Sequence, residues 1–141
     1  MDYSKVMNVE PAQAICYSGF RKGQHPGGVY PTYDQVKEDL LILKDHWKYL
    51  RLYDCDPHSE TVLEVIEKEN LDLKVMLGAY IVAEANNFGC PWGGGVYSEE
   101  QLLLNKTKNE RQIQKLIFLA NRYSDTVFCL SAGNEACVDW T

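Results

Sequence analysis

The sequence has 141 residues, of which 14 are Lys or Arg and 20 are Asp or Glu, and 45% are apolar, a composition that fits one folded domain (1–141) and excludes wholesale disorder. Its formal net charge of -6 argues against a partner held through phosphate neutralisation, so no nucleic acid is expected. No apolar stretch approaches the roughly 20 residues of a membrane span, and Met1-Asp2-Tyr3-Ser4-Lys5 lacks the apolar core of a secretory signal. The compartment stays open, with the cytoplasm favoured over export.

Short runs rich in β-branched and aromatic residues alternate with amphipathic segments. The first run, Ala14 to Phe20, reads as a strand. Thr32 and Gln35 form a capping-box pattern that opens a helix, with Val36, Leu40, Leu43 and Trp47 along one face. A second strand is expected over Tyr49 to Asp54. Asp56-Pro57 then supplies a cap and an N1 proline for a helix burying Val62, Val65 and Ile66 and stopping near Asn70. Lys74 to Ile81 is the third strand. A third helical face is clearest at Ile113, Leu116, Ile117 and Ala120, with a second capping box at Ser98 and Gln101 and a break near Asn105. Thr126 to Glu135 closes the series as a fourth strand. Strands alternating with helices imply parallel pairing through right-handed crossovers, hence an α/β architecture of four units.

The five cysteines, at 16, 55, 90, 129 and 137, include no C-x-x-C pair. His25, His46 and His58 lie in unrelated segments without the spacing of a helical zinc site. Two loops at the carboxyl ends of strands, Lys22 to Pro31 and Val82 to Tyr97, are glycine-rich but carry no nucleotide-binding spacing. Neither metal nor cofactor is expected. Alternation in the fourth run places Cys129, Ser131, Gly133 and Glu135 on one face and the bulky Phe128 and Leu130 on the other. The small-residue face should look into a cleft with Glu135 at its mouth. In the second run Leu50 and Leu52 share one face, and Tyr49, Arg51 and Tyr53 the other. Arg51 either orients a catalytic acid there or pairs with Asp54 or Glu84 at a sheet rim.

Three motifs in order, Cys16-Tyr17-Ser18-Gly19, Leu50-Arg51-Leu52-Tyr53-Asp54 and Gly133-Asn134-Glu135, together with the lead-in from Asn109-Glu110 through Leu119-Ala120-Asn121-Arg122-Tyr123, resemble the family 17 glycoside hydrolases. The family comprises β-1,3-glucanases and related glucanosyltransferases built on a (β/α)8 TIM barrel. The resemblance implies that Glu135 is the general acid/base and that Asn134 binds the sugar's 2-hydroxyl. Tyr17, Arg51 and Tyr53 would contribute to the sugar-binding floor, and Trp92, Tyr97 or Trp140 would stack on sugar rings.

A full barrel takes about 250 residues, so the 141 present correspond to its first four β/α units, a half-barrel. The family's nucleophile, on strand seven, falls outside them. The expected partner is a β-glucan polysaccharide or oligosaccharide. The open strand edges would be covered by a homodimeric copy or by a carboxyl-terminal half-barrel. The chain alone should then be inactive. Rival readings are a glucanosyltransferase and a non-catalytic module that binds sugar or a partner.

Overall fold

The computed structural model describes residues 9–90 and 95–136, so the expectations for Trp92 and Trp140 lie outside the described residues. Four strands pair in parallel and in chain order: β1 (Ala14–Cys16), β2 (Tyr49–Leu52), β3 (Lys74–Ala79) and β4 (Val127–Ala132). Helices α1 (Tyr33–Leu43), α2 (Pro57–Lys68) and α3 (Glu99–Arg122) connect them. Right-handed crossovers that always step in the same direction lay every helix on one face of the sheet. Leu50, Leu52, Val75 and Leu77 accordingly form one buried cluster with Val36 and Leu40 of α1, Val62 and Ile66 of α2, and Leu116 and Leu119 of α3. This α/β layering is consistent with a partial α/β barrel.

The caps explain where the helices begin. Thr32 accepts from the Gln35 amide while Gln35 Oε1 accepts from the Thr32 amide, the full reciprocal box. Asp56 caps α2 through the Ser59 amide, with Pro57 at the first helical position. Ser98 caps α3 through the Gln101 amide, but the Gln101 side chain donates to Asn105 instead of reaching back. Helix α2 ends before Asn70, whose φ of 49° lies in the left-handed region.

Several expectations need correcting. Helix α3 runs unbroken through Asn105, because Asn105 Nδ2 donates to the Ala83 carbonyl and Asn109 grips both the amide and the carbonyl of Val82. The two asparagines are one turn apart and hold the chain leaving β3. Ile117 is 52% exposed, and Leu119 takes the core position in its place. Trp47 lies beyond α1, in the turn after Leu43. Phe128 and Leu130 do not share a face. The β3–β4 register slips between Val75 and Met76, so that Val127 pairs with Val75 and Cys129 with Met76. The extra residue, Phe128, packs its ring 4.9 Å from that of Tyr49.

Strands β2 and β3 approach most tightly at Gly78. A Cβ there would lie 2.7 Å from the Leu52 carbonyl oxygen and 2.9 Å from the Tyr53 carbonyl, backbone atoms that cannot swing aside. Gly78→Ala is therefore expected to destabilise the fold by about 1–3 kcal/mol, as overpacking does. Urea unfolding followed by circular dichroism will show a lower midpoint with an unchanged slope.

Candidate functional site

Because Leu50 and Leu52 point into the helical layer, Arg51 and Tyr53 project from the opposite, open face of β2. Arg51 is in register with Cys16 of β1 and Met76 of β3, and Met76 with Cys129 of β4, so these four form one row across the sheet. The chain then brings Asn134 to this row from the turn after β4. Arg51 Nη2 donates to Asn134 Oδ1 at 2.9 Å. A guanidinium can only donate, so this contact fixes which end of the amide faces Arg51 and leaves the Nδ2 hydrogens for other acceptors. The same guanidinium lies 4.5 Å above the Tyr53 ring.

The turn carrying Asn134 and Glu135 is built by unusual backbone. Gly133 has φ of 82° and Glu135 φ of 55°, both left-handed. Strand β4 thus ends at Ala132, and the strand alternation expected through Glu135 does not continue into the turn. The Gly133 amide donates to the Ala79 carbonyl at 2.9 Å, which ties the turn to the end of β3. Glu135 is exposed, and it acts electrostatically on Tyr53. The Tyr53 phenol is held above its ordinary value, first by its hydrogen bond with Cys16, then by burial, with Arg51 opposing and Glu135 reinforcing.

Arg51, Tyr53, Asn134 and Glu135 are therefore gathered at the carboxyl end of the sheet. Tyr17 is placed apart from them. It follows Cys16, so alternation turns it into the helical layer, where its hydroxyl donates to Asp39 at 2.8 Å and its ring packs on His58. Burial and Asp39 raise its pKa far above the usual phenol range. Cys16, in register with Arg51, lies on the open face in the same row. Alternation along Ala14 to Phe20 is the sequence signal that separates the faces of Cys16 and Tyr17. Arg51 takes neither of its expected rim partners, Asp54 or Glu84: Glu84 accepts from Asn109, and Asp54 is half-buried beside Gln112 with its Oδ1 out of contact with water. Burial, and secondarily Asp56, push the Asp54 carboxyl up.

Next to Tyr53 a cavity of about 970 Å³ opens between the β1–α1 loop, the start of α2 and α3. His58 stands in its wall, stacked on Phe20 at 5.1 Å, and its Nε2 accepts from the Gly19 amide at 3.2 Å. Its proton therefore sits on Nδ1. Among the described residues no group of three or more His, Cys, Asp or Glu side chains could hold a metal ion, and no helix is long and apolar enough to cross a membrane.

No family model matches the chain, and no curated protein sequence does. A solved structure does match: the crystal structure of an endo-laminarinase from Formosa Hel1_33_131, at 26% identity with a TM-score of 0.62, over 91% of this chain. The chain is similar to part of a β-1,3-glucanase. It spans 32% of the length of that enzyme, and the likeness supports a glucanase-like fold.

Burial lowers the His58 pKa, with Asp56 and Asp39 only partly opposing. In the unfolded chain the imidazole titrates near 6.5, so on acidification from about pH 7 the unfolded state binds protons before the native state does. Stability contributed by neutral His58 is present above that range and falls as the pH drops. His58→Gln, which keeps an acceptor for the Gly19 amide, should flatten this slope. Urea midpoints of both proteins between pH 5 and 8 measure it; parallel profiles would mean that His58 does not titrate on unfolding.

Proposed function

We propose that this chain is the acid/base half of a retaining glycoside hydrolase that acts on β-1,3-glucan, of the family 17 type and built as the first four units of a (β/α)8 barrel. The match to the endo-laminarinase supports a glycoside hydrolase-like function. What carries the finer reading is the contact between Arg51 and Asn134, which orients an amide beside Glu135 at the mouth of the open face.

In this reading Glu135, protonated, delivers its proton to the glycosidic oxygen as the bond to the anomeric carbon breaks. Asn134 Nδ2 donates to a hydroxyl of the sugar at the reacting centre. Arg51 holds the amide in that orientation, and Tyr53 offers a ring beside the same position. A retaining mechanism also needs a second carboxylate, as nucleophile, about 5 Å from the first. The reading assigns that nucleophile to the part of the barrel beyond these four units.

The test uses the enzyme that carries this domain together with the remaining units. Glu135→Gln should lower hydrolysis of β-1,3-glucan by about 10²–10⁴-fold, the range of general acid catalysis, and spare substrates whose leaving group needs no proton. Equal losses on both substrate types would overturn the assignment. Arg51→Lys, which removes the Nη2 bond to Asn134 and the guanidinium plane over Tyr53, should reduce kcat about tenfold or more with a smaller change in KM, since the contact matters most in the transition state. Products longer than the substrate would assign transfer to a sugar acceptor in place of hydrolysis.

A further inference from the structure

The cavity beside Tyr53 is not the site just described: Arg51, Asn134 and Glu135 do not line it. One wall is aromatic, with Phe20 and Tyr30 5.8 Å apart and Tyr80 46% exposed. The facing wall is α3, which presents Lys108, Arg111 and Lys115 at steps of three and four residues, one helical face. Lys115 is paired with Glu60 of α2. Among the described residues neither Lys108 nor Arg111 has a carboxylate at ion-pair distance, while the cavity's own acids are Asp54, on which Lys108 acts electrostatically, and Asp56, which caps α2 through the Ser59 amide. In a chain of net charge -6, a ligand-sized cavity that joins an aromatic wall to Lys108 and Arg111, neither held in an ion pair among the described residues, can take a ligand with both an apolar ring face and a negative group.

We propose that this cavity binds a saccharide carrying an anionic substituent, with a sugar ring against the aromatic wall and the anionic group between Lys108 and Arg111. Aromatic faces accept the C–H face of a pyranose, and a guanidinium offers paired donors to a sulfate, phosphate or carboxylate. The cavity shares Tyr53 with the candidate site, so a chain bound at Arg51 and Asn134 enters it by passing that ring. The saccharide half of this inference rests on the function proposed above; the anionic half rests on the cavity alone.

Calorimetric titration of the 141-residue chain separates the two. The probes are a neutral β-1,3-linked glucan oligosaccharide, its sulfated and its carboxymethylated derivatives, and inorganic sulfate alone. Both charged derivatives are expected to bind at least tenfold more tightly than the neutral oligosaccharide, with the gain shrinking in added salt. Inorganic sulfate should bind weakly. The double variant Lys108→Gln, Arg111→Gln, at two exposed positions, should return the charged derivatives to the neutral affinity and leave that affinity unchanged. A larger gain for one derivative identifies which anion the site prefers. Equal affinity of neutral and charged probes, or a gain that survives the double variant, would overturn the proposal and leave the glucanase reading standing. Binding of sulfate and the charged derivatives through Lys108 and Arg111 with none of the neutral sugar would keep the anion site and count against the glucan.

Discussion

The arrangement depends on one constraint: Leu50, Leu52, Val75 and Leu77 must all lie beneath the helices. Each is 1% exposed or less, and burying such a side chain is worth about 1.5–3 kcal/mol, an upper bound because the unfolded chain already hides some apolar surface. No surface ion pair among the described residues competes with that, since exposed pairs such as Lys44 with Asp45 are screened by water. A slip of one residue in β2 would move both leucines to the open face and Arg51 into the core. The apolar core therefore decides which side chains face the open side, and the polar residues there inherit their positions from it.

Polar groups then settle what the core leaves free, at the ends of the strands. The chain leaving β3 carries backbone amides and carbonyls that no strand pairs. Asn105 and Asn109 of α3 satisfy them at Ala83 and Val82, and both asparagines are buried. A buried amide or carbonyl left without a partner costs about 1–3 kcal/mol, which explains polar residues on the inward face of a helix. The consequence reaches the candidate site. Ala79, at the end of β3, supplies the carbonyl from which the Gly133 turn hangs, so α3 indirectly steadies the backbone that positions Asn134.

The sequence was most legible where one local rule acted alone. Period-two and period-3.6 patterns located four strands and three helices, and Thr32 with Gln35 and Asp56 with Pro57 marked their helix starts correctly. Legibility failed where two rules met. Asn105 reads as a helix breaker because its side chain competes for backbone bonds, yet here it bonds a different segment of backbone. Phe128 reads as the partner of Leu130 by alternation, but the slip in register inserts one residue and reverses its face. The motif places Tyr17 on the sugar-binding floor, whereas alternation from Cys16 turns its hydroxyl towards Asp39. Arg51 and Asn134 were both legible as candidates, but not their bond to each other. They are separated by 83 residues, and only the parallel order of the strands brings them together.

Arg51 also shows how a local cost can serve the site. Its Nε is buried without a partner, and its guanidinium meets only a neutral amide and an aromatic ring among the described residues. Neither is a carboxylate, so among the described residues this guanidinium is met by an amide dipole and a ring face alone. Glu135 follows this contact on a left-handed backbone, a conformation that costs a non-glycine residue of order 1–3 kcal/mol unless its surroundings hold it. Two contacts do so on its amino-terminal side: the Gly133 amide donates to the Ala79 carbonyl, and Asn134 Oδ1 accepts from Arg51 Nη2. If Arg51 were neutralised by a rim carboxylate, its donors would be spent and Asn134 would be free to rotate. The unpaired charge and the strained turn therefore belong to one arrangement, in which the arginine is left without a carboxylate and the amide beside Glu135 keeps a fixed orientation.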